Sequence, residues 1–148
     1  MTTTMSYPRQ AAVLAINLLF IMLWGFAGIG KVINGVPPWF ADKFGQTFFA
    51  RFPGLAALFW LLTAAELLAL GLALASLVRG EFLGRRPARY LTAMLVWSLF
   101  VFIQLGFGQW LTAEYNGAFQ IFTYFGVTLI ALQFVASTPI SAGDRERS

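Results

Sequence analysis

The 148 residues make one domain by length, but 59% are hydrophobic and only 11% charged, far from the roughly 25% charged of soluble domains. A net charge of +4 from ten basic and six acidic residues suits a membrane topology and anionic lipid headgroups, not a nucleic-acid partner. Cysteine and histidine are both absent, which excludes disulfides, thiol redox chemistry, Cys-ligated zinc or iron–sulfur clusters, and His-ligated haem carried by this chain.

In chain order, residues 1 to 9 (MTTTMSYPR) are polar and expected to be loosely ordered, with Pro8 suited to the first turn of a helix. Apolar runs follow at about 11–33, 55–78, 90–110 and 117–137, each near the ~20 residues that carry a helix across a bilayer. They lack the alternation of barrel strands. The first is longer than the core of a secretory signal and has no convincing A-x-A site, so it reads as a span. The fold class expected is all-α, an integral membrane four-helix bundle forming a single domain over 1–148.

Between the first two spans, VPPWFADKFGQTFFARFPG places Phe40, Phe44, Phe48 and Phe52 four residues apart. This pattern predicts a short amphipathic interfacial helix at about 38–52, started by Pro37 and Pro38 and ended by Pro53 and Gly54. It is either an aromatic anchor or a lid over a pocket. The loop VRGEFLGRRPARY is short and basic; the connection WLTAEYNG is short enough to make the last two helices antiparallel neighbours. The tail 139–148 is mixed in charge and expected to be flexible. Arg9, Arg79, Arg85, Arg86, Arg89, Arg145 and Arg147 fall on one side and Lys31, Lys43 and Arg51 on the other. Basic residues stay in the cytoplasm, so both termini are expected there.

Glu66, in WLLTAAELLALGLAL, stands near the middle of its span, where an acid exposed to lipid costs on the order of 2.5–3.5 kcal/mol. It must face protein or water. Lys31 is the cation near enough to help, across an axial gap of roughly 9 Å at 1.5 Å per residue. Either Lys31 snorkels alone to the headgroups or it turns inward to Glu66. Asn17, Trp24 and Lys31 recur every seven residues on the first helix, a drift of only ~40°. Tyr90, Trp97 and Gln104 repeat this on the third, and Gln120, Tyr124 and Thr128 stand four apart on the fourth. By depth, Lys31, Gln104 and Gln120 make an upper layer; Trp24, Glu66, Trp97 and Tyr124 make a lower one. Such stripes either bond the helices together or line a pocket for a flat head group such as a quinone, or for a lipid. Gly25, Gly28 and Gly30 on the first helix, and Ala65, Ala69 and Ala73 on the second, are a close-packing signal. GFAGIG is no phosphate loop, because no strand precedes it. No repeat relates the two halves.

With GFAGIGKVI in the first helix, AAELLALGLAL in the second and NGAFQIFTYFGVTLIAL in the fourth, the chain resembles the DoxX-like membrane proteins, including DoxD-type and MauE-type relatives, over roughly 12–135. The resemblance implies a four-helix membrane fold, often beside redox systems; some relatives are linked to quinone-coupled sulfur oxidation and others to maturation of redox enzymes. Lys31 and Glu66 are the positions it carries over, as structural or ligand-binding residues. The lack of cysteine tells against any thiol-handling role.

The expectation is an accessory or quinone-proximal subunit of a membrane redox system, with redox-enzyme subunits or a second copy as partners besides the bilayer, and no nucleic acid. No metal or covalent cofactor is expected; a quinone or lipid is the candidate ligand. Without histidine the chain lacks the obvious base for hydrolysis, so it reads as a non-catalytic subunit. A small-solute or proton carrier using Glu66, and a purely structural or oligomer-forming bundle, remain alternatives.

Overall fold

A computed structural model describes residues 5–137; the tail 139–148, with Arg145 and Arg147, lies outside the described residues. Four helices are long and apolar enough to cross a membrane: α1 Tyr7–Asn34, α3 Leu55–Val78, α4 Arg89–Leu111 and α5 Tyr115–Ala136, with the short α2, Pro38–Phe44, between the first two. No strand occurs among the described residues. The protein is an all-α, multi-pass membrane bundle. Its helices carry apolar residues on outward and inward faces alike, which suits elements buried in lipid on one side and protein on the other. Leu18, Met22, Phe26, Leu61, Leu68, Phe100, Ile103, Phe122 and Ile130 point outward.

α1 starts with Ser6 in extended conformation and proline in the first turn. It begins earlier than 11, and residues 5–9 are not loose. Met5 is buried against Gly84, and the Gln10 amide donates to the carbonyls of Met5 and Leu83. Gly84 has φ +69, and an added Cβ would stand 2.7 Å from Met5 Cβ, so only glycine fits. Near its other end α1 opens into a single π-turn, Gly25–Ile29, then resumes as α-helix to Asn34 and stops at Gly35, φ +69.

The interfacial helix is shorter than the 38–52 expected. Its α-helix ends at Phe44, and a 3-10 turn occupies Phe48–Ala50. Thr47 is the cause: its backbone is extended and its Oγ1 donates to the Phe44 carbonyl at 2.6 Å, drawing that acceptor out of the helical ladder. The four-residue phenylalanine face breaks there. Phe40 is buried, whereas Phe48 and Phe52 are exposed.

Around the bundle the order is α1, α3, α4, α5, with α4 and α5 the most closely packed pair. Ala65, Ala69 and Ala73 of α3 are buried with Phe20 and Trp24 of α1 and with Leu91, Met94 and Leu95 of α4. Gly28 brings α1 close to α3, since an added Cβ would lie 2.9 Å from Leu67 Cδ2. Gly30, expected to share this role, faces open space. α1 and α5 are joined at the termini end by Arg9, which donates to the Phe134 carbonyl and Ser137 Oγ.

Candidate functional site

Glu66 is the twelfth residue of the 24-residue α3, and its side chain is 1% exposed. Lys31 Nζ donates to both of its carboxylate oxygens at 2.6 Å. Lys31 therefore turns inward. The seven-residue stripe does not explain how, because the π-turn between Trp24 and Lys31 adds about one residue per turn and rotates Lys31 by roughly 100° from its place on a regular helix. Trp24 consequently points at α4, where its indole donates to Ser98 Oγ at 2.9 Å and its ring lies 5.2 Å from Phe102, while Lys31 points at α3.

The Lys31 side chain is 26% exposed and lines a cavity of about 490 Å³. Trp39, Phe40 and Phe44 of α2 roof this space; Phe59 and Leu62 of α3 and Gln104 and Phe107 of α4 wall it. Phe40 stacks edge-on against Phe59 with centroids 5.4 Å apart and lies 4.8 Å from Phe44. The roof is pinned to the end of α4: Lys43 Nζ donates to Gln109 Oε1 at 3.0 Å and lies 3.9 Å from Glu114, and Phe44 rests on Gly108. An ammonium has three N–H groups, and two are engaged by Glu66. The third, together with the Gln104 amide and the Lys43–Gln109 pair, is what the cavity offers a ligand otherwise enclosed by aromatic rings and leucines.

The remaining candidates divide. Asn17 is 1% exposed; with its amide turned to match its neighbours, it donates to the Ala73 carbonyl and accepts from Leu77 N–H and Ser76 Oγ, joining α1 to α3. The Trp97 indole donates to the Ala65 carbonyl at 2.8 Å, joining α4 to α3. Both are packing bonds away from the cavity. Gln104 lines the cavity. Gln120 and Tyr124 neither bond to another helix nor line the cavity, although the Tyr124 ring lies 6.0 Å from Phe102 of α4. Both are exposed, and the expectation that all four stripes converge is corrected accordingly. α5 turns Ala118, Ala131 and Val135 inward because its small residues admit α4 closely; Thr128 follows them in, bonding back to the Tyr124 carbonyl. Tyr90 lies at the opposite end, its hydroxyl accepting from Arg79.

Sequence reasoning missed Ser98, Lys43, Gln109 and Glu81. Glu81, in the 79–88 loop, is buried, and its two oxygens accept from the backbone N–H groups of Tyr90 and Leu91, capping α4. The carboxylate eight residues before a helix start was the available signal. Among the described residues no cluster of three metal-ligating side chains occurs. The chain matches no protein-family model, no curated protein and no solved structure.

Proposed function

We propose that this membrane protein holds the ring of a flat, carbonyl-bearing, lipid-soluble molecule of the quinone class in the roofed cavity, as a DoxX-like accessory subunit of a redox system in the bacterial inner membrane. One observation carries the reading: a lysine with one N–H to spare, fixed by Glu66, lines a cavity walled by aromatic rings and leucines. Rings supply the stacking area and the amine supplies the bond to a carbonyl oxygen. A chain without histidine or cysteine, and without a cluster of metal-ligating side chains among the described residues, is in keeping with one that positions a redox molecule and leaves electron transfer to a partner. The basic 79–89 segment together with Arg9 supports a cytoplasmic assignment for the termini end, which sets the roofed cavity on the outer side.

Trp39 in the roof reports occupancy. Titrating the detergent-solubilised protein with a short-tailed quinone is expected to give saturable fluorescence quenching. Gln104→Leu should weaken binding about five- to ten-fold, the worth of one hydrogen bond, and Leu62→Trp should abolish it by filling the space. Quenching that rises linearly with quinone in the micelle, equal in all three proteins, refutes the reading.

A further inference from the structure

A second cavity, of about 520 Å³, lies at the opposite end of the bundle and takes no part in the site above. It is bounded by the start of α1, the 79–88 loop, the first turns of α4 and the last turn of α5. Arg89 is the first residue of α4 and Ala136 the last of α5, which sets the cavity where hydrocarbon meets headgroups.

Its walls are of two kinds. Val13, Ala93 and Val135 are apolar; Arg86, Arg89 and Thr92 are polar. Among the described residues, no hydrogen bond or ion pair engages the Arg86 or Arg89 side chain, although both belong to the same wall. Arg9 differs, being tied to the end of α5. Glu81 also faces this space, but both its oxygens accept N–H groups of α4, so it neutralises neither arginine by contact.

We propose that this cavity binds an anionic phospholipid, its phosphate held by Arg86 and Arg89 with the Thr92 hydroxyl beside them and its upper chain lying on Val13, Ala93 and Val135. A basic pocket between spanning helices at headgroup depth is the arrangement that recognises anionic lipids. Two cations beside an apolar wall distinguish the occupant. A zwitterionic headgroup brings an ammonium that meets two arginines, while the only carboxylate of the wall, Glu81, is buried and turned to the N–H groups of α4. Free phosphate leaves the apolar side unfilled.

The test uses the full-length protein in a neutral detergent, titrated with short-chain phosphatidylglycerol, with phosphatidylcholine of the same chains and with inorganic phosphate, and read by native mass spectrometry. Phosphatidylglycerol is expected to bind at one saturable site, more tightly than either alternative. Arg86→Gln and Arg89→Gln should each weaken it about five-fold and the pair about twenty-five-fold, while the corresponding lysine variants retain most of the binding. Arg51→Gln, at the other end of the bundle, removes the same charge and should change nothing. The wild-type comparison stands even if an arginine variant folds poorly. Equal binding of the two lipids, phosphate binding as tight as the lipid, or an equal loss from Arg51→Gln overturns the proposal.

Discussion

Lys31→Met isolates what the ion pair does. Lys31 Nζ contacts both Glu66 oxygens at 2.6 Å, and Glu66 is 1% exposed at the centre of α3, so the substitution leaves a carboxylate inside a membrane bundle without a counter-charge. Breaking a buried pair from one side costs about 3–5 kcal/mol. The reverse change is milder. Glu66→Gln leaves a lysine whose side chain is 26% exposed and whose flexible stem lets the amine reach water. Its cost is the lost charge-assisted hydrogen bonding, about 1.5–3 kcal/mol. Lys31→Met combined with Glu66→Gln removes both charges at similar volume, so the double variant should be more stable than Lys31→Met alone. Denaturant unfolding in micelles, followed by tryptophan fluorescence and checked for helicity, measures all three. Raising salt from about 0.1 M to about 1 M should change the differences little, because a buried pair is poorly screened. A double variant as destabilised as the sum of the two singles would refute the reasoning, since the two groups would then act independently.

Gly28→Val should destabilise by about 1–3 kcal/mol, because its side chain enters Leu67; Gly30→Ala, in open space, should gain up to about 1 kcal/mol. Thermal unfolding of the two variants side by side distinguishes a packing glycine from an incidental one. Glu81→Ala strips the cap from α4 and should cost about 1–3 kcal/mol; Glu81→Gln, which keeps one acceptor oxygen, should recover part of it in the same assay. Trp24→Phe loses the indole bond to Ser98, whose hydroxyl keeps its bond to the Met94 carbonyl, so a loss of about 1 kcal/mol is expected from chemical unfolding.

The four spans, the helix between the first two and the pairing of Lys31 with Glu66 were legible because each rests on a local or one-dimensional quantity. Runs of apolar residues measure length against bilayer thickness, and counting residues from a shared boundary measures depth. Depth placed Lys31 within reach of Glu66. Rotation about the helix axis was harder to read. Gln120 and Tyr124 stand at the right depth and on one stripe, yet α5 turns that stripe outward. Its opposite face is just as apolar and has the smaller residues, and close contact with α4 favours small residues over polar ones.

From the sequence alone came the membrane, the number of crossings, a carboxylate at mid-depth and a chain devoid of histidine and cysteine; each follows from residue type and position along one axis. Only the tertiary structure decided the π-turn that swings Lys31 onto α3, the Thr47 turn that shortens the roof, the Glu81 cap and the two cavities. A helix apolar on all sides has no face that hydropathy prefers, so its rotation is set by which side chains of its neighbours leave room for it.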